Sequence, residues 1–276
     1  MKTLGTAFKQ VYGEALKEYG FKKIKGKYPY YVRLIGDEIV HVITFSTRPM
    51  RKEGYKEYCV YGGVATVYRN CLELNIPVTH NFGWFKSVLE FYEKKNRYRN
   101  CDDKFKKWYT FSYKADDEVS LIESLQYSLE ITKEVMLPIL DDVTDLKACV
   151  KFYEIYSEPM LNIYIDKDFG RFNSSGNYNE GLLSVKVYNV EQFVESEREA
   201  FNKNIELKKY LMQLGKTGYT EETLEKSKII MQESMLRQID KFKTIINNQE
   251  EYDRVIMELE RRRELNTEKL KQYGIK

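Results

Sequence analysis

Up to about residue 190, apolar and aromatic positions alternate with polar ones over short runs. Beyond about residue 191 the spacing becomes that of long, Lys/Glu-rich helices. Phe8, Val11, Tyr12, Ala15, Leu16 and Tyr19 recur at helical intervals, which predicts an amphipathic helix over residues 3–19. Gly20 is placed to stop it, because glycine enters the left-handed conformation without a Cβ clash. Tyr28–Ile35 and Glu38–Ser46 are rich in aromatic and β-branched residues and read as strands. Gly36-Asp37 between them suits a two-residue type II′ hairpin. Tyr55–Arg69 is a third strand, and Gly62-Gly63 within it predicts a bulge or a close backbone approach.

Pro77 and Asn81 mark loops, Trp84–Lys95 reads as a short helix, and Lys104–Tyr113 alternates as a fourth strand. Asp116-Asp117-Glu118 opens a helix with acidic residues that complement the macrodipole. That helix is expected to run to about Leu137, where Pro138 interrupts it. A further helix, about Thr144–Tyr156, ends near Pro159, and Leu161–Asp166 with Leu182–Tyr188 make a last strand pair around a Gly/Asn-rich loop.

The tail is three helices. The first covers 191–214 and stops at Gly215, and the second starts at a Thr220 N-cap and reaches about Asn247. The third begins at a capping-box-like Asn248/Glu251. Met235, Ile239, Phe242 and Ile246 form a short heptad seam, continued by Tyr252, Ile256 and Leu259, but Arg263 and Asn266 hold the next positions. A seam this short and polar suits a hairpin packed on itself or on the globule, with homodimerisation through the C-terminal helices as the alternative. The expected architecture is α+β: a mainly antiparallel sheet packed with helices over residues 1–190, then a helical segment over 191–276 ending in a helical hairpin.

Composition narrows the class. At 276 residues, 42% hydrophobic and 32% charged, the chain has the profile of a folded protein with a sizeable core. No run approaches the ~18 apolar residues of a membrane span, and Met1–Thr6 is not followed by an apolar signal segment, so a cytoplasmic protein with no membrane contact is expected. Cys59, Cys71, Cys101 and Cys149 are scattered without a Cys-x-x-Cys pair, which argues for thiols rather than a disulfide framework. A net charge of +3 and a pI near 8.4 fall short of the strongly basic balance of a dedicated nucleic-acid domain.

Motifs with chemistry fail on inspection. Gly215-Lys216-Thr217 imitates the end of a phosphate loop, but Tyr210 stands where the first glycine is needed, and a helix precedes it instead of a strand. Asp168-Phe169-Gly170 imitates the kinase metal triplet without the rest of the kinase set. Asp166, Asp168 and Gly170 begin like a calcium loop, but Asn177 holds the position of the bidentate carboxylate. With only His41 and His80, metal sites and His-based triads have few candidates. His41, among Ile39, Val40, Val42 and Ile43, reads as a sheet histidine, whereas His80 sits where it can titrate near neutral pH. A Cys–His pair from Cys59 or Cys71 with either histidine stays open. No catalytic residue, metal or cofactor is predicted.

Basic residues interleave with aromatics in two clusters. Lys22, Lys23, Lys25 and Lys27 precede Tyr28, Tyr30, Tyr31 and Arg33, and Arg97 and Arg99 precede Lys106, Lys107, Trp108 and Tyr109. Cations for phosphates beside planes for bases suit single-stranded nucleic acid. The competing expectation is a protein partner contacted by Tyr31, Arg33, Trp108 and Tyr109, since aromatic and arginine side chains dominate interface hot spots.

Leu16-Lys17-Glu18-Tyr19-Gly20-Phe21-Lys22-Lys23, then Tyr30-Tyr31-Val32-Arg33 and the Ile39–Phe45 strand, resemble an uncharacterised bacterial domain family. The shared features are an opening helix, a Gly-Phe-Lys-Lys turn and a Tyr-Tyr-x-Arg strand. Gly62–Arg69 and Leu137-Pro138-Ile139-Leu140 look like its later blocks, so the likeness spans about residues 1–157. The resemblance implies an α+β domain and brings no catalytic residue. The function expected is a non-catalytic binding protein of the bacterial cytosol, with a conflict or immunity system as one setting. The alternatives are nucleic-acid binding through the basic–aromatic clusters, or an enzyme with an unfamiliar site.

Overall fold

The computed structural model describes residues 2–48, 53–70, 72–76, 85–89, 110–156, 182–213, 215 and 220–276. The chain forms two compact units, Met1–Gly176 with Arg262–Lys276, and Asn177–Arg261. The first is α+β. Its sheet comprises β1 (Lys22–Lys23), β2 (Tyr31–Ile35), β3 (Ile39–Arg48), β4 (Tyr55–Thr66), β5 (Phe85–Ser87) and β6 (Phe111–Lys114). Every pairing is antiparallel and the order is β1-β2-β3-β4-β5. β6 joins β4 at Tyr55–Tyr58, along the edge that β5 uses at Tyr61–Gly63. The strands are runs rich in β-branched and aromatic residues, and β2 and β3 are joined by a tight turn.

The β2–β3 turn corrects the expected geometry. Gly36 and Asp37 both take positive φ, +57° and +60°, as in a type I′ turn rather than a type II′ one. Glu38 enters the loop as a third residue, and its carbonyl accepts from the Val67 amide at 3.0 Å. Asp37 tolerates the left-handed region because its short polar side chain clashes little there. A strand, Phe85–Ser87, also replaces the start of the helix expected from Trp84, with Val88 and Leu89 already helical behind it.

One face of the sheet packs on helices α1 (Leu4–Lys17) and α2 (Glu118–Ile131). Phe8, Tyr12, Leu16, Tyr31, Ile39, Ile43, Tyr58, Val60, Val64, Leu121 and Leu125 meet in a single core. The helix that begins at Glu118 does not end at Pro138. A wide turn over Thr132–Met136, closed by the Leu137 amide on the Thr132 carbonyl, leads into α3 (Leu137–Asp141). Proline lacks an N–H and its ring strikes the carbonyl four residues back, and an inserted residue relieves both problems. The wide turn also presents Met136 to β4. A Cβ at Gly62 would overlap the Met136 side chain, so the predicted close approach is this contact. α4 (Leu146–Tyr156) follows, its first turn capped by Asp145 accepting from the Ala148 amide at 2.8 Å.

The opposite face is equally withdrawn from solvent: Tyr30, Val32, Val40, Val42 and Ala65 are fully buried. Here the first unit takes in the end of the last helix, α8 (Gln249–Gln272). Asn266 is buried, its Oδ1 accepting from the Leu72 amide at 3.0 Å and its Nδ2 donating to the Val67 and Arg69 carbonyls at 2.8 and 2.7 Å. Lys269 adds an ion pair to Glu73 at 2.8 Å. The polar residue that interrupts the heptad seam is therefore the one that ties the helix end to the segment after β4.

The second unit is helical. α5 (Ser184–Val187) is a single turn where a strand was expected from Leu182 to Tyr188. Val185 and Val187 favour a strand, but Asn189 and Gln192 form a reciprocal capping box that starts α6 (Val190–Gln213) directly behind it. α6 ends at Gly215, with φ +64°, and α7 (Glu221–Asn247) starts at the predicted Thr220 cap. Phe193, near the start of α6, stacks on Phe242, near the end of α7, at 4.0 Å and 10°. The two helices thus pair as an antiparallel hairpin. Asn248 caps α8 by accepting from the Glu251 amide at 3.2 Å.

Asn266→Ala is expected to lower unfolding stability by about 2–3 kcal/mol, because it leaves the Leu72 amide and two carbonyls without their partner. Asn266→Asp keeps the acceptor but sets an anion against the Val67 and Arg69 carbonyls, so it should cost more than alanine. Urea titration followed by far-UV circular dichroism ranks the three proteins.

Candidate functional site

Among the described residues of the α+β unit, three clusters of chemistry-bearing side chains stand out. The first joins Arg33, His41 and Asp141. Arg33 and His41 are opposite each other in the β2–β3 register, so their side chains share the helix-packed face. Arg33 Nε donates to His41 Nδ1 at 3.0 Å, and His41 Nε2 lies 2.8 Å from the Val143 carbonyl. A carbonyl only accepts, so Nε2 carries the proton and His41 is the neutral tautomer with both nitrogens engaged. Burial and the Arg33 charge push its pKa down to about 4. Arg33 also donates to the Tyr19 carbonyl at 2.9 Å, pairs with Asp141, and stacks 4.6 Å from the Phe21 ring. The arrangement clamps the α1–β1 turn, two strands and the end of α3. His41 has no lone pair free to take a proton.

The second cluster is a hydroxyl network inside the core. Ser128 Oγ donates to the Leu125 carbonyl at 2.9 Å and Thr132 Oγ1 to the Ser128 carbonyl at 2.8 Å, which commits both protons. Tyr12, 2.8 Å from Ser128 Oγ, must then be the donor in that pair, and Tyr58 donates to the same oxygen at 3.2 Å. Burial pushes both phenols far above their ordinary pKa. These tyrosines satisfy one another and hold α1, β4 and α2 together; neither offers an acid or a base near neutral pH.

The third cluster lies on the opposite face. Arg48 Nε donates to Cys59 Sγ at 3.3 Å, and Arg48 Nη2 donates to the Tyr61 hydroxyl. Cys59 is buried, and burial raises the Tyr61 phenol. In the β3–β4 register Cys59 faces Ser46 while His41 faces Val64. Residues 59 and 64 differ by an odd number, so Cys59 and His41 project from opposite faces and form no nucleophile–base pair. Cys71 and His80 lie outside the described residues.

Tyr31 and Arg33 are turned inward. Tyr31 is 2% exposed, its hydroxyl buried without a hydrogen-bond partner and pushed up to about 12 by burial. Arg33 is spent in the clamp, so as placed neither presents a ring or a charge to a partner. Lys22, Lys23, Lys25 and Lys27 are exposed on the edge strand β1 and its turn, and none forms an ion pair among the described residues. Lys27 Nζ lies 5.5 Å from the Tyr28 ring, while Tyr30 is buried with its hydroxyl on the Ile76 carbonyl at 2.8 Å. The cations are available, but of the neighbouring aromatics only Tyr28 is partly open. Lysines on an edge strand also discourage edge-to-edge pairing with another sheet. Trp108, Tyr109, Arg97, Arg99, Lys106 and Lys107 lie outside the described residues, as do Asp166, Asp168 and Gly170. Among the described residues no group of three His, Cys, Asp or Glu side chains is placed to hold a metal ion, and no helix is long and apolar enough to cross a membrane.

The chain matches no family model, no curated protein and no solved structure. Its surface is therefore read from its own residues, and the second unit holds the feature that motif reading passed over. Ile229, Ile230, Leu236 and Met257 are 57%, 63%, 53% and 73% exposed. The only signal in the sequence was the seven-residue interval from Ile229 to Leu236, which lies off the predicted seam.

His41 makes stability pH-dependent. The unfolded chain binds the proton near pH 6.5 and the native state only near pH 4, so native stability falls as pH drops through that window, by roughly 3 kcal/mol in total. Above pH 6.5 this contribution is flat. His41→Gln cannot titrate, so the wild-type loss between pH 6.5 and 4 should exceed the variant's by that amount when urea midpoints are compared across the window.

Proposed function

We propose that the chain is a non-catalytic cytoplasmic interaction protein and that its helical unit makes the contact. The observation that carries this reading is the exposure of Ile229, Ile230, Leu236 and Met257 on α7 and α8. Apolar side chains scattered singly need no explanation, but Ile229 and Leu236 stand two helical turns apart on one face with Ile230 beside them. The α+β unit supports the reading from the other side. Among its described residues His41, Tyr12, Tyr58 and Arg33 are engaged in holding elements together, as in a scaffold.

The second reading is nucleic-acid binding, favoured by the four exposed lysines of the β1 edge and its turn, which form no ion pair among the described residues. It predicts an affinity that falls linearly with salt on logarithmic axes.

One capture experiment separates the two. The tagged full chain, Ile229→Ser with Leu236→Ser, and a variant with Lys22, Lys23, Lys25 and Lys27 changed to Glu are each incubated with host lysate, with and without nuclease. The interaction reading expects a nuclease-resistant protein that the helix variant loses and the lysine variant keeps. Nuclease-sensitive capture that only the lysine variant loses would establish the second reading instead.

A further inference from the structure

The exposed face of α7 carries a pattern that goes beyond apolar exposure. Glu222, Lys226, Ile229, Glu233, Leu236, Asp240 and Lys243 follow one another at intervals of four and three, so they form a single stripe along the helix. All seven are exposed, and the stripe runs beside the buried Ile239 and is turned away from the buried Phe242 and Ile245. Read from either end, the stripe is complementary to its own reverse: acid to base, base to acid, apolar to apolar.

We infer that this face of α7 binds the same face of a second copy of the chain, antiparallel, about a two-fold axis at Glu233. The inference rests on the interaction reading above and names its partner. In this arrangement Glu222 meets the second copy's Lys243, Lys226 meets its Asp240, and Ile229 meets its Leu236. The two-fold repeats each pairing, as an isologous interface requires. A parallel arrangement keeps apolar on apolar but sets Glu222, Lys226, Asp240 and Lys243 each against its own copy, so like charges rule it out. Ile230, exposed beside the stripe, adds apolar area at its edge.

Within one copy, Lys226 pairs with Glu222 at 2.6 Å, the ordinary exposed contact one helical turn apart. That contact accounts for two of the charges and leaves Asp240, Lys243, Ile229 and Leu236 unexplained; the antiparallel dimer gives each of them an opposite number. The single mismatch is Glu233, which meets itself at the axis. The dimer is therefore weak and concentration-dependent, and the mismatch makes it testable without adding apolar surface.

Sedimentation equilibrium of the full chain across a wide concentration range is the test, with circular dichroism confirming that each variant is folded. The inference expects a monomer–dimer equilibrium in the wild type, tightened about two- to fivefold by Glu233→Gln as the repulsion at the axis is relieved. Lys226→Glu and Asp240→Lys should each weaken it, and the two together should restore it, because the swapped charges again face their opposites. Leu236→Asp should abolish it. A monomer in both the wild type and Glu233→Gln overturns the inference, as does a dimer indifferent to these substitutions. If protein capture in the lysate still depends on Ile229 and Leu236, the interaction reading survives that failure; if it does not, both fall.

Discussion

A buried side-chain amide can cross a core only when every one of its polar atoms has a partner, and Asn266 meets that condition. Its carbonyl oxygen takes the Leu72 amide and its nitrogen serves the Val67 and Arg69 carbonyls. These contacts connect residues 194 to 199 positions apart, so the end of the chain and the segment after β4 belong to one compact unit. The geometry is specific to an amide. An apolar residue leaves three backbone groups unsatisfied, and a carboxylate opposes two carbonyls.

The same requirement is met at Arg33, His41, Tyr12 and Tyr58 of the α+β unit, though not at the Tyr31 hydroxyl. A sheet buried on both faces has no solvent to receive its polar side chains. Arg33 is therefore bound by His41, Asp141 and the Tyr19 carbonyl, and Tyr12 and Tyr58 share Ser128. A histidine with both nitrogens occupied and phenols far above their ordinary pKa belong to a scaffold rather than to acid–base chemistry. The α7 stripe shows the opposite economy: its side chains are exposed, with Ile229 and Leu236 flanking Glu233 at the centre and an acid and a base at each end.

Much of the fold was legible because local chemistry agreed with it. The first helix and its Gly20 stop, the order of the first strands, the close approach at Gly62, and the Thr220 and Asn248 caps each follow from a few neighbouring residues. The errors arose where a distant contact decided the outcome. Alternation in β2 shows which residues share a face but not whether that face meets solvent, so Tyr31 and Arg33 could be named as candidate partner contacts although they are turned inward. Pro138 marked a break, but the widened Thr132–Met136 turn carries the helix past it. The β-branched residues around Ser184 predicted a strand, and the capping box at Asn189 prevailed. Asn266 read as a flaw in a seam because its partners are nearly two hundred residues away. The Ile229–Leu236 stripe was visible as spacing, but it gained meaning only once its side chains proved exposed while Phe242 and Ile245 are buried on another side of the helix.

The central claim is that the described polar clusters of the α+β unit, around Arg33, Ser128 and Asn266, are structural and that the last helical turns are part of the unit. Native-state hydrogen exchange tests this most directly. The account predicts that the amides of Arg262–Gln272 exchange only through the opening that also exposes β3 and β4, with the same free energy and the same denaturant dependence. Exchange of those amides by early fraying, while the sheet stays protected, would contradict it: the Asn266 contacts would then be incidental, and the polar groups of the unit would need another explanation.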